Sequence, residues 1–324
     1  MKLNGKTALV TGANSGVGLE TSAQLAENGW SHVILACRSV EKAEKARKEL
    51  VARVKSDPFA TLAIDTSEVD SANRAADELK KRGEKIDFLV LNAGASGKEP
   101  ASNSAGVEIT YASTLIGHHV LTMRAIEDGL LAPGARVVIA GSEGARGNLP
   151  GMKLHDIRAI ADERYNGDLS KTIVDLVHLR LPEQASFTSM NEYVTAKLLV
   201  AWWAGAVSGV LPEGMTVNAV SPGSVLETNF TRDAPTAMKL FMIPMMKVMG
   251  PLMGMAGPVA PAAARYLQAA DFPADKTGQF YATAKRKKLV GPMGLQTWPE
   301  YFTDTRGQEA TLEALNRLTG LRAG

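Results

Sequence analysis

Cysteine is almost missing from this chain. Cys37 is the only one in 324 residues, so no disulfide can form within it, and a reducing compartment is expected. Histidine is scarce, at five residues, and no His/Cys/Asp spacing has the pattern of a zinc site. Charge of one sign is not in excess: 36 Lys and Arg against 34 Asp and Glu leave a formal +2. That balance excludes the clustered basic surplus of a nucleic-acid binder. The one dense basic run, Lys285-Arg286-Lys287-Lys288, reads as a solvated surface loop in preference to a phosphate or membrane contact. Long apolar runs are lacking too. No secretory pattern is found near the start. The best membrane candidate, 238–264, is broken by Lys239, Lys247 and several Gly and Pro, so no transmembrane segment is expected. A cytoplasmic location is the resulting expectation. No internal repeat, low-complexity linker or shift in composition marks a second domain.

What is there is an apolar share of 45%, laid out as short apolar runs alternating with amphipathic stretches. Strands are predicted at Thr7–Val10, His32–Ala36, Phe59–Ile64, Ile86–Leu91 and Arg136–Ala140. Helices are predicted at Gly18–Asn28, Val40–Val54, Val69–Arg82 and Val107–Glu127. Such repeated β-α alternation means a parallel sheet with helices on both faces. Runs such as Ala8-Leu9-Val10 and Val137-Val138-Ile139 lack polar alternation, as strands covered on both sides should. After Gly141 the rhythm breaks. Residues 150–190 read as an insertion with a turn at Tyr165-Asn166-Gly167-Asp168 and a helix at Ser170–Leu179. Then come a helix at Glu192–Val210, a strand at Met215–Val220 and a Met-rich segment. A helix at Pro261–Ala270, a strand at Gln279–Ala282 and a helical tail at Glu309–Leu318 complete the pattern. The expected fold is α/β: one Rossmann-type, doubly wound parallel sheet over residues 1–290, with a substrate-covering segment at 226–260 and a C-terminal extension over 291–324.

Thr11-Gly12-Ala13-Asn14-Ser15-Gly16-Val17-Gly18 directly follows the first strand and opens the first helix. Glycines there let the backbone approach a pyrophosphate, and a helix N-terminus supplies unpaired N–H groups and a positive dipole end. Placement between strand and helix makes this a dinucleotide site where a bare glycine triplet would not. The second strand ends in Ala36-Cys37-Arg38-Ser39. An arginine there, with no carboxylate, suits the 2′-phosphate of NADP(H).

These residues, together with others further along, resemble the short-chain dehydrogenase/reductases, and within them the retinol dehydrogenase and protochlorophyllide reductase branch. The further matches are Asp65, Asn92-Ala93-Gly94, Gly117-His118, Ser142, Tyr193-Val194-Thr195-Ala196-Lys197, Ser221-Pro222-Gly223 and the ending Ala314 to Gly320. The resemblance implies cofactor contacts from Gly12, Asn14, Ser15, Gly16, Val17, Gly18, Arg38, Asp65, Thr66, Asn92, Ala93, Gly94, Tyr193, Lys197, Pro222, Gly223, Val225 and Thr228. Tyr193 and Lys197 lie one helical turn apart, on the same side. The ammonium is expected to lower the tyrosine pKa, making Tyr193 a proton donor and acceptor near neutral pH. Lys197 would also bind the nicotinamide ribose, and Ser142 would hold the substrate oxygen. Tyr281 and Lys285 repeat the spacing near a predicted strand, where it places no shared face.

Two positions depart from the family pattern. Thr114 stands where the family carries an asparagine that helps hold a proton-relaying water, and Thr228 comes one position later than the usual threonine after Pro-Gly. His118 and His119 read as helix-packing or surface residues. Seven methionines fall between Met238 and Met255; their flexible thioethers suit a lid over a bulky apolar ligand, a packed core stripe or a subunit contact. No cysteine lies between Ser142 and Tyr193, which disfavours a protochlorophyllide reductase proper. The expectation is NADP(H)-dependent hydride transfer to or from a carbonyl or alcohol of a hydrophobic small molecule, in a chain that can form a homo-oligomer. The alternatives are a catalytically weak NADP(H)-binding sensor or scaffold, or a C=C reductase.

Overall fold

A computed structural model of the chain describes residues 5–97, 99–225 and 255–321. Its strands are β1 (Thr7–Thr11), β2 (His32–Cys37), β3 (Phe59–Ala63), β4 (Ile86–Leu91), β5 (Leu131–Ala140), β6 (Thr216–Val220), β7 (Phe280–Thr283) and β8 (Met293–Leu295). They form one sheet in the order β3-β2-β1-β4-β5-β6-β7-β8. All neighbours pair in parallel except β8, which runs antiparallel to β7. The helices are α1 (Gly16–Glu27), α2 (Val40–Val54), α3 (Val69–Arg82), α4 (Ile109–Tyr111), α5 (Gly117–Glu127), α6 (Ile157–Arg164), α7 (Leu169–Val177), α8 (Ser189–Ser208), α9 (Val259–Ala270) and α10 (Thr305–Thr319).

Successive strand residues point to opposite faces, and here both faces are apolar. Leu9, Leu89 and Val137 enter a core with α3, α5 and α8, whereas Val10, Val90 and Val138 enter another with α1, α2 and α9. Helix ends follow local chemistry. Ser39 accepts the Lys42 N–H at the start of α2, and Gly83 ends α3 in the left-handed region at φ +68°. From β1 the chain proceeds outward to β2 and β3, then returns to lay β4 on β1's other side. The reversal opens a crevice at the carboxyl ends of β1 and β4, where such sheets bind ligands.

Strand β5 starts earlier than predicted, at Leu131, as does α10, at Thr305, and three elements differ in kind from the sequence expectation. The helix predicted at Val107–Glu127 is α4 and α5 joined by a π-helical turn over Ala112–Ile116. The insertion holds an additional helix, α6, whose N-cap Asp156 accepts the Ala159 N–H at 3.0 Å. Strand β8 was not anticipated, because three residues carry no readable alternation. Residues 226–254, which include most of the Met-rich segment, lie outside the described residues. No helix among the described residues is long and apolar enough to cross a membrane.

Candidate active site

The glycine turn leaves β1 with Gly12 at φ +66° and Gly16 at φ +55°, conformations open to glycine at little cost. A Cβ on Gly18 would meet the Gly12 carbonyl oxygen at 2.4 Å, so only glycine lets α1 start this close to the turn. Ser15 caps α1 in extended conformation without a side-chain cap bond. The first turn of α1 thus carries the unpaired N–H groups and positive dipole end common to helix N-termini, the features that suit a pyrophosphate.

Thr11 organises the floor of this turn. Its Oγ1 accepts from the Asn92 N–H at 2.8 Å and the Ala93 N–H at 2.9 Å, while the Asn92 amide donates to the Thr11 carbonyl at 3.0 Å. His118 Nδ1 lies 2.9 Å from the Thr114 carbonyl, which can only accept, so Nδ1 carries the proton. Nε2 then accepts the Thr11 hydroxyl at 2.9 Å. Burial pushes the His118 pKa down to about 4 and keeps the ring neutral. The surface reading of the two histidines is thus corrected: His118 ties glycine turn, β4 exit and π turn together. His119 accepts from Trp203 Nε1 at 3.1 Å and meets Asn316 at 3.0 Å.

At the end of β2, Arg38 is 61% exposed and its Nε lies 3.5 Å from Asp65 Oδ2. An exposed pair of this kind is worth little, which leaves the guanidinium able to turn to another anion. Asp65 also accepts from the backbone and hydroxyl of Ser67. The Thr66 hydroxyl is spent on the Ser113 carbonyl at 2.9 Å, anchoring the π turn. Cys37 is buried, which pushes its thiol up to about 11.

Helix α8 brings Tyr193 and Lys197 onto one face beside the end of β5. Lys197 Nζ donates to the Ala140 carbonyl at 2.7 Å and lies 5.7 Å from the Tyr193 ring centre. Burial lowers its pKa to about 8. Ser142 Oγ accepts the Gly144 N–H at 3.1 Å and hydrogen-bonds with the Tyr193 phenol. The expected lowering of the tyrosine pKa by Lys197 is not what this geometry gives. Burial raises it, the Ser142 hydrogen bond partly offsets that, and the Glu143 carboxylate raises it further. Thr114 is buried in the π turn, with its hydroxyl 3.4 Å from where a Cβ on Gly94 would sit. Gly223, at φ +83°, donates its N–H to Ser221 Oγ at 3.1 Å, and Val225 bridges to Gly257. Pro222 sits between Ser221 and Gly223, half-buried. Thr228 lies outside the described residues.

Sequence reasoning missed the polar network behind Ser142. Glu143 accepts from the Ser221 hydroxyl, from Arg265 at 3.2 Å, and from the Thr283 N–H and hydroxyl at 3.0 and 2.9 Å. Arg265 also donates to the carbonyls of Ser221 at 2.9 Å and Gly291 at 2.8 Å. Glu143 and Arg265 are far apart in sequence and no short motif joins them, so no local signal could have paired them. Among the described residues, no cluster of His, Cys, Asp and Glu could hold a metal ion.

The short chain dehydrogenase family model matches residues 6–154. A chloroplastic protochlorophyllide reductase of Cucumis sativus is 34% identical over 48% of this chain and 41% of its own length. A WW domain-containing oxidoreductase of Drosophila melanogaster is 30% identical over 71% of this chain and 52% of its own. The chain thus spans about half the length of these curated relatives. Among solved structures, an uncharacterised protein from Mycobacterium paratuberculosis superposes with TM-score 0.66 at 20% identity, covering 98% of this chain and 94% of that one. A short chain dehydrogenase from Burkholderia cenocepacia in complex with NADP gives TM-score 0.59 at 20% identity, over 86% and 96%. These two likenesses establish the fold. The short-chain dehydrogenase model thus covers the glycine turn and the first five strands of this chain, and the same fold continues through the described residues.

Proposed function

We propose that the chain is an NADP(H)-dependent oxidoreductase moving a hydride between bound nicotinamide and a carbonyl or alcohol carbon of a bulky, hydrophobic small molecule. The observation that carries this reading is the meeting of the Ser142 hydroxyl, Tyr193 phenol and Lys197 ammonium at the carboxyl end of β5, at the same sheet edge as the glycine turn. The cofactor-binding residues are those named from the sequence, with Gly12 to Gly18 at the pyrophosphate, Arg38 at the 2′-phosphate, and Asn92 to Gly94, Pro222, Gly223 and Val225 toward the nicotinamide. The NADP carried by the Burkholderia neighbour supports this choice.

In this reading Ser142 holds the substrate oxygen and stabilises charge developing on it. Tyr193 gives that oxygen its proton in reduction and removes it in oxidation. A phenol kept neutral by burial stands ready as a donor. Lys197, fixed by the Ala140 carbonyl, opposes the cost of leaving phenolate behind and reaches the nicotinamide ribose. Thr114 takes the family asparagine's place beside Gly94.

Two variants test the assignment. Tyr193→Phe is expected to fold and bind NADPH with unchanged affinity while losing turnover by about a thousandfold or more; near-wild-type NADPH oxidation with a ketone, aldehyde and quinone panel contradicts the role. Arg38→Ala is expected to weaken NADPH but not NADH by about tenfold or more. An unaltered preference in that variant removes the 2′-phosphate assignment.

A further inference from the structure

The basic run that the sequence left as a solvated loop does not lie on an indifferent surface. It follows directly from β7, which is parallel to β6, so the run leaves the sheet at the carboxyl edge that carries the glycine turn, Ser142 and Gly223. The loop from Ala284 to Pro292 is pinned on both sides of the proposed substrate end. The Arg286 carbonyl accepts from Arg146 at 3.2 Å and from Asn148 at 3.3 Å, in the turn that begins at Ser142. The Leu289 carbonyl accepts the Ser224 N–H at 3.1 Å, next to the Pro222-Gly223 segment. Arg265 and the Ala284 N–H close the base of the loop, through Gly291 at 2.8 Å and Pro292 at 2.9 Å.

On this fixed backbone Lys285, Arg286 and Lys287 are all exposed. Among the described residues no carboxylate lies within ion-pair distance of any of the three, although most other arginines here have found one. Arg286 rests over the half-exposed Trp298 ring, 4.4 Å from its centre. Consecutive like charges repel within a Debye length. A chain with nearly balanced charge has thus concentrated unneutralised cations on one immobilised lip.

They do not serve the cofactor's 2′-phosphate. That group is assigned to Arg38 at the end of β2, five strand spacings from β7, or about 24 Å. We infer that Lys285, Arg286 and Lys287 form the recognition lip for an anionic group, a carboxylate, phosphate or sulfate, carried by the substrate. The inference rests on the oxidoreductase reading and narrows it: the substrate is an amphipathic anion whose carbonyl or carbinol reaches Tyr193 while its charged end stays at the rim.

The test compares dodecanedioic semialdehyde with its methyl ester as substrates for NADPH oxidation at low ionic strength, in the wild type and in the Lys285→Gln/Arg286→Gln/Lys287→Gln variant. Exposed substitutions spare the core, and NADPH affinity of the variant is measured in parallel. The expected result is a kcat/KM for the acid about tenfold above that for the ester, falling with added salt, and a ratio near one in the variant. Equal values for acid and ester in the wild type, or a ratio that survives in the variant, overturn the inference. So does a loss confined to NADPH affinity, which would give the lip to the cofactor. Calorimetric titration with dodecanoate and with dodecanol supplies a readout without turnover. If neither aldehyde is reduced the oxidoreductase reading fails, while dodecanoate binding that exceeds dodecanol binding only with the lip intact still upholds the anion site. Equal binding of the two removes it.

Discussion

Lys197 shows at the residue scale how the site sets its own chemistry. Its ammonium is buried with the Ala140 carbonyl as hydrogen-bond partner, and burial holds its pKa at about 8, below the ordinary lysine value. The unfolded chain therefore binds more protons than the folded one from about pH 8 up to the ordinary lysine range, and stability rises with pH across that window. Below it the whole cost of burying the charge is present. Lys197→Met is expected to stabilise the cofactor-free protein near neutral pH by at most about 3 kcal/mol, with a margin that shrinks as pH rises above 8. Urea unfolding at neutral and alkaline pH reads this directly; a destabilised variant at neutral pH would show that the buried ammonium is compensated by more than one carbonyl. The same comparison explains why Tyr193 departs from expectation. Helical spacing correctly places phenol and ammonium on one side, but sequence does not show how deeply both are buried or that Glu143 stands nearby.

Among the elements, those with strong periodicity were legible to the residue: α2, α3 and β4 fall at the predicted bounds. The amphipathic stripe and the Gly83 cap mark α3, and the Ser39 cap marks α2. Elements held by distant contacts were not legible. Helix α6 is short and half of its residues are charged, and the π turn has no compositional sign. What holds that turn is Thr66, whose carbonyl accepts the Gly117 N–H at 2.8 Å. A Cβ on Gly117 would come within 2.5 Å of the same carbonyl oxygen. Gly117→Ala is thus expected to cost about 1–3 kcal/mol, to lower the melting temperature, and to weaken NADPH by displacing His118 from Thr11. A melting temperature within error of the wild type would contradict this account of the turn.

At the scale of the whole molecule, the parallel sheet gathers chemistry that is scattered in sequence. The ends of β1, β4, β5, β6 and β7 lie along one edge, so the glycine turn, Asn92, Ser142, Gly223 and the basic lip become neighbours along it. The fold class was legible, and the candidate site residues named from the sequence sit at strand exits or on a helix with readable periodicity. The Glu143–Arg265 pair and the placement of the basic run were not legible, since only the closed sheet brings them together. The C-terminal helix α10 closes over α5 and α8. Asn316 in α10 bonds to His119 in α5, and Gly205 in α8 leaves room for Gln308 of α10.

The central claim is that Ser142, Tyr193 and Lys197 complete a hydride-transfer site beside a bound nicotinamide. Its most direct test is deuterium transfer from NADPH deuterated on the nicotinamide carbon that donates hydride, with the product of dodecanedioic semialdehyde read by mass spectrometry. The account expects one deuterium on the carbinol carbon with the wild type and almost none with Tyr193→Phe. Absence of transfer by the wild type, or equal transfer by the variant, would contradict it.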